Sequence, residues 1–127
     1  MIDEDYTYRL LSCAYEVHSA LGPGLLESVY EKALGYELEL NGFKVQHQIP
    51  VKIKYKDKEF DNDLKLDIMV DDQVIIELKS VKEILPVHQM QLLTYLRLTN
   101  TQLGYIINFN VDQLKNGIQR IVNNFRY

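Results

Sequence analysis

The chain reads as an α/β fold, a central mixed sheet flanked by helices. Three observations lead there. Residues 64–80, LKLDIMVDDQVIIELKS, are two apolar, β-branched runs around a polar turn, the pattern of an antiparallel hairpin. Amphipathic stretches of helical period stand before and after it. A last apolar run, Leu103–Asn108, follows the third such stretch, so a helical crossover returns the chain to the same sheet.

The elements follow in order. Asp3, Glu4 and Asp5 suit the first turn of a helix over residues 5–20, because acids there oppose the positive end of the helix dipole. Leu10, Ala14, Val17 and Leu21 make its core stripe, flanked by Leu11 and His18; His18 reads as a hydrogen-bonded packing residue rather than a ligand. Gly22, Pro23 and Gly24 break this helix, and a second spans residues 25–41 to an Asn41-Gly42 stop. Its apolar surface is broad: Leu26, Val29, Tyr30, Ala33, Leu34, Leu38 and Leu40. Glu27 projects on the side of Leu34 and Leu38, and Glu37 falls near the middle of the stripe. A carboxylate on an apolar face needs a partner. For Glu37 the favoured reading is an ion pair or a hydrogen-bonded carboxylate. Glu27, early in the helix, is placed to reach a metal on the sheet.

Residues 45–48 and 50–56 read as extended, with a tight turn at Lys56-Asp57-Lys58 and a return through Glu59 and Phe60. Lys52, Lys54, Lys56 and Lys58 alternate with Val51, Ile53 and Tyr55, and are read first as the solvated face of an antiparallel strand, with phosphate contact second. In the hairpin Glu77 and Lys79 share one face and Leu78 takes the other, while Asp67 interrupts an otherwise apolar strand. For Asp67 and Glu77 to share a face, residues paired across the hairpin must have an even sum. A three-residue loop, Asp71 to Gln73, satisfies this by pairing Val70 with Val74. Two carboxylates and a lysine so placed can hold a divalent cation and a water beside a phosphodiester, since hard cations prefer oxygen ligands. Pro86 opens a third helix that ends near residues 99–100. Leu85, Leu92, Leu93 and Leu96 face its core, and His88, Gln91 and Tyr95 form an adjacent polar stripe. The tail stays open: a helical turn over residues 111–116, then a strand or a helix broken by Gly117 over residues 118–122.

Composition bounds the function. With 127 residues, 46% hydrophobic and 25% charged, the chain is expected to form one globular domain, and no apolar run approaches the ~20 residues of a membrane span. A net charge of −4 argues against bulk electrostatic coating of nucleic acid, though not against an acidic active site with a local basic strip. The single cysteine, Cys13, excludes an internal disulfide and a cysteine-based zinc site, and the acidic start lacks a signal-peptide pattern. A cytoplasmic location is expected.

Asp67, Glu77 and Lys79, an aspartate followed by acid-x-lysine on a hairpin, resemble the motif of the PD-(D/E)xK nuclease superfamily, with Leu66 where that motif carries proline. The stretch Gly24-Leu25-Leu26-Glu27-Ser28-Val29-Tyr30 resembles the signature of the GxxExxY family within it, and Gln91-x-x-x-Tyr95 resembles an element of RecB-like nucleases. The resemblance spans roughly residues 17–122 and implies a restriction-endonuclease-like core of helix, three strands, helix and strand. It implies a small nuclease that hydrolyses phosphodiester bonds with Mg²⁺ or Mn²⁺, nucleic acid, DNA in particular, being the partner. Asp67, Glu77 and the Leu78 carbonyl would hold the ion, with Glu27 completing the shell. Lys79 would orient or help deprotonate the attacking water, Gln91 and Tyr95 would position a phosphate or the lysine, and His88 stands on the same stripe. Cutting both strands of a duplex is compatible with a two-fold homodimer. The alternative keeps the fold as a catalytically silent module that binds nucleic acid or a protein partner.

Overall fold

The computed structural model describes residues 2–124. The elements run α1 (Glu4–Leu21), α2 (Glu27–Leu40), β1 (Val45–Pro50), β2 (Ile53–Tyr55), β3 (Lys58–Phe60), β4 (Lys65–Val70), β5 (Val74–Lys79), α3 (Pro86–Leu98), β6 (Leu103–Asn108), a 3₁₀ turn (Leu114–Gly117) and β7 (Ile118–Val122). Five strands form the central sheet in the order β1-β4-β5-β6-β7, and β2-β3 form a separate two-stranded ribbon. Among the described strands only β5 and β6 pair in parallel, joined through α3 as the crossover. The open tail resolves into the 3₁₀ turn and an edge strand paired antiparallel to β6.

Local chemistry explains the boundaries. The Asp3 carboxylate accepts the Tyr6 N–H at 2.8 Å and so caps α1, and the Gly22 N–H closes its other end on the His18 carbonyl. His18 Nε2 meets the Val111 carbonyl at 2.7 Å, the packing role expected of it. The α1 stripe is Tyr6, Leu10, Cys13, Ala14 and Val17, whereas Leu21 is exposed. On α2 only Tyr30, Leu34, Gly35 and Leu38 are buried; Leu26, Val29 and Leu40 face outward, so the apolar surface in the core is narrower than the sequence suggests. Gly35 lets the helix approach β1, since a Cβ there would run into the His47 ring. Glu37 is half-buried and accepts the Asn41 side-chain N–H at 2.9 Å, a hydrogen-bonded carboxylate in the α1–α2 groove.

The sheet separates two cores. Tyr30, Leu34 and Leu38 of α2, together with α1, pack on Ile68, Val70, Val74, Ile76 and Leu78. Leu92, Tyr95 and Leu96 of α3 pack on the opposite face, against Leu66, Ile75 and Ile106. Tyr95 is therefore a buried residue of α3, and Leu85, expected in the core, is 44% exposed.

Hairpin register matches the parity argument: Val70 pairs with Val74, Met69 with Ile75 and Ile68 with Ile76. Asp71 and Asp72 both adopt positive φ, and the Gln73 N–H closes the turn on the Val70 carbonyl. One feature was not expected. Leu66 and Ile68 are two residues apart, yet they join cores on opposite faces, and in β1 Val45 and Ile49 divide in the same way. Both strands turn over at one level, where Gln48, with φ of 50°, breaks the β1–β4 pairing opposite Asp67. Residues 50–56 do not form the single extended run expected of them. The chain leaves the sheet after Pro50, Val51 is buried, and Tyr55 is 64% exposed instead of facing a core.

Candidate active site

The turnover at Asp67 aims its side chain along the sheet toward β5 rather than above or below it. The β4–β5 ladder ends at Ile68–Ile76, and beyond it the carboxylates take the place of strand partners. Asp67 Oδ2 accepts the Leu78 N–H at 2.8 Å, and Glu77 Oε1 accepts the Asp67 N–H at 3.2 Å. Two carboxylates are thus held side by side in a gap between neighbouring strands. Glu77 is buried, and its pKa is pushed up to about 8, first by that burial and then by the Asp67 charge; Lys79 pulls in the other direction.

Glu77 and Lys79 lie on the α3 side of the sheet, paired with Ile106 and Asn108 of β6. Tyr95 closes the site from α3, and its hydroxyl is raised above the ordinary tyrosine range by burial and by the charges of Glu77 and Asp67. The structure thus brings Asp67, Glu77, Lys79 and Tyr95 together. Gln91, one turn earlier on α3, is exposed, and His88 Nδ1 accepts the Leu85 N–H at 3.0 Å, which makes it a cap of that helix.

Glu27 is exposed at the first position of α2, the layer on the other face of the sheet. It extends the Tyr30–Leu34–Leu38 stripe by one turn, past the end of the core. The G-x-x-E-x-x-Y stretch has a mechanical role around it. Gly24 adopts φ of 99°, a conformation that only glycine takes without strain. Tyr30 is fully buried, stacked on Phe109 with centroids 4.4 Å apart, and its hydroxyl donates to the Gly22 carbonyl and accepts the Leu25 N–H. Ser80 Oγ donates to the Leu25 carbonyl at 2.6 Å, so the loop ahead of Glu27 is fastened to the residue after Lys79.

Asn108 does similar work and was not singled out in the sequence. Fully buried beside Lys79, its side chain bonds both the N–H and the carbonyl of Val81, which fixes the chain leaving β5. The available signal was an amide at the end of the apolar run Leu103–Asn108.

The donor set suits a hard divalent cation. Among the described residues no three His, Cys, Asp or Glu side chains converge closely enough to hold a metal by themselves. Two carboxylates are nevertheless what Mg²⁺ commonly takes from a protein, the remaining positions going to water and substrate phosphate. Two acids forced together, one of them titrating high, also form a site whose charge a cation would balance.

A mixed sheet that presents an aspartate, a glutamate and a lysine at the parting of two strands, with helices on both faces, is a PD-(D/E)XK nuclease-like architecture. The chain belongs to the PD-(D/E)XK nuclease superfamily, whose profile matches residues 4–121. Membership points to a nuclease acting on nucleic acid, and nucleases of this superfamily generally use divalent metal ions. No curated protein and no solved structure is significantly similar to the chain. No helix among the described residues is long and apolar enough to cross a membrane.

Proposed function

We propose that this chain is a Mg²⁺- or Mn²⁺-dependent nuclease of the GxxExxY type that hydrolyses phosphodiester bonds in DNA. The observation that carries this reading is the Asp67–Glu77 pair, held at 2.8 and 3.2 Å on opposing main-chain N–H groups with Lys79 and Tyr95 beside it. Asp67, Glu77 and the Leu78 carbonyl would hold the ion, which when bound would supply polarisation of the phosphate and a more acidic water. Glu27, exposed at the start of α2, would join the same shell through water. Lys79 would orient the attacking water or help to take its proton, and oppose charge developing on the phosphate oxygens. Tyr95 and Gln91 would position the phosphate or Lys79 from the α3 side. A cytoplasmic location accords with a single cysteine, which is buried. Cleavage of both strands of a duplex would use two copies related by a two-fold axis.

The test is a cleavage panel of single-stranded, double-stranded and branched DNA, with RNA alongside, in Mg²⁺, Mn²⁺, Ca²⁺ or chelator. The expected result is cutting in Mg²⁺ or Mn²⁺, suppression by Ca²⁺, and none by Lys79→Ala. Activity of the purified protein that persists in chelator overturns the mechanism. The exposed position of Glu27 favours one second reading, a nuclease fold that binds nucleic acid or a protein partner without turnover. Binding without cleavage on every substrate and ion would select it.

A further inference from the structure

From the β2–β3 ribbon we infer that the molecule has an arm that grips a single-stranded segment of nucleic acid and leads it to the carboxylate pair. The inference deepens the nuclease reading and rests on it only for the fate of the bound strand.

The ribbon belongs to no larger sheet, and strands of this length gain little stability from each other alone. It is fixed at its root. The Val51 N–H bonds the Leu64 carbonyl at 2.9 Å, and the Asn62 side chain bridges the Val51 carbonyl at 3.1 Å to the Leu64 N–H at 2.8 Å. Val51 and Ile53 then join the apolar cluster that contains Tyr95. On this face Ile53 is half-buried, while Phe60 opposite it is 42% exposed and Tyr55, nearer the turn, 64%. A rooted ribbon with two exposed aromatic rings is a poor design for stability and a suitable one for contact.

Register decides what the ribbon presents. Ile53 pairs with Phe60 and Tyr55 with Lys58, so these four share one face, while Lys54 stands opposite Glu59 on the other. Because Ile53 packs in the α3-side cluster, the aromatic face belongs to the same side of the molecule as Glu77 and Tyr95. The Lys56 ammonium lies 5.5 Å from the Tyr55 ring centroid and the Lys58 ammonium 5.3 Å from that of Phe60. Each ring therefore carries a cation within reach of a phosphate, and the pairing of aromatic faces with lysines is how non-specific single-strand sites hold bases and backbone together. Duplex bases are already stacked on one another and cannot use such rings.

Charge singles out the same segment. The chain carries a net charge of −4, yet 4 of its 14 Lys and Arg residues fall between Lys52 and Lys58 against one acid, Asp57, before Glu59, Asp61 and Asp63 balance them. The lysine run offers local phosphate contacts beside the rings on an otherwise acidic molecule. Its location fits as well. Residue 65 starts β4 and Asp67 lies two residues on, about 7 Å along the strand at ~3.3 Å per residue. A strand lying on the ribbon would approach the acids by way of the ribbon's root.

The experiment is fluorescence anisotropy in chelator, with a labelled oligothymidylate, a single-stranded RNA of equal length, and a duplex. Wild type is expected to prefer the single strands. Tyr55→Ala/Phe60→Ala should weaken single-strand binding at least about tenfold, whereas Tyr55→Phe keeps it. Lys56→Gln/Lys58→Gln should lower the slope of log affinity against log salt by about 1.4, at ~0.7 per lost phosphate contact. Photocrosslinking of wild-type protein to a bromouracil oligonucleotide should map to residues 52–60, a readout that does not depend on how the variants fold. Crosslinks elsewhere, ring variants that bind within twofold of wild type, or preference for duplex each overturn the proposal. Turnover is not involved, so a ribbon that binds in a protein that cuts nothing sinks only the nuclease reading, and cutting with an inert ribbon sinks only this one.

Discussion

At its two ends the β4–β5 hairpin treats acidic side chains in opposite ways. At the turn, Asp71 is at rest: its carboxylate accepts the Tyr6 hydroxyl at 2.8 Å and the Lys44 N–H at 2.8 Å, while its own N–H bonds the Lys44 carbonyl. The Tyr6 hydroxyl is pushed up to about 12 by burial and by that bond, so it stays a donor at any working pH. At the other end, Asp67 and Glu77 also accept main-chain N–H groups, but they face each other and the nearest cation only partly offsets them. The same hairpin thus holds one acid as a fastening and two as a reservoir of unfavourable charge. That contrast separates residues whose removal costs stability from residues whose removal costs chemistry.

The largest expected effect lies at the crowded end. Asp67→Asn and Glu77→Gln keep acceptor atoms for the main-chain bonds while removing charge, so cleavage should fall at least about 100-fold with no loss in melting temperature. Steady-state assays beside thermal melts check this, and a large drop in melting temperature would break the contrast. Asp71→Ala should do the reverse, with a loss of about 1–3 kcal/mol in denaturant titrations and unchanged activity per folded molecule.

A smaller effect concerns pH. Because the Glu77 pKa is raised in the fold, from 4.5 to about 8, the native state holds its proton more tightly than the unfolded chain does. The contribution is therefore fully present below about pH 4.5 and is lost as pH rises toward 8. In chelator, wild-type stability should decline across that window, and Glu77→Gln should flatten the decline. The smallest effect is a negative one. The Cys13 thiol is raised to about 11, mainly by burial, so a thiol reagent at pH 8 should react slowly with native protein and fully after denaturation.

Much of this was legible in the sequence because it is local or obeys a parity. Pro86 and Asp3 mark helix starts through their own backbone chemistry, and the even-sum register follows from alternation alone. The acid pair was legible as polar intrusions on apolar strands. What escaped depends on distant partners. Glutamine has no leaning toward positive φ, so nothing at Gln48 announces the turnover opposite Asp67; its side chain is held by Glu31 of α2, with His47 on the same carboxylate. Tyr95 sits beside Leu92 and Leu96 on the helix, and its burial follows from how α3 seats on Gly104, which no helical wheel contains. The lysine alternation was visible, but the departure of the ribbon from the sheet after Pro50 was not.

The bonds that tie Asp67 and Glu77 to the backbone have an analytical consequence. The amide protons of Asp67 and Leu78 are held by carboxylate oxygens and not by a neighbouring strand, so any species that recruits those oxygens must release or reshape two N–H bonds. In an ¹⁵N-correlated NMR spectrum these two amides should therefore shift on titration with a divalent ion and exchange with deuterium on a schedule of their own. Those of Ile75 and Ile76, in the same strand, should keep the slow exchange of the sheet interior. The chain carries its own occupancy gauge, readable without a substrate.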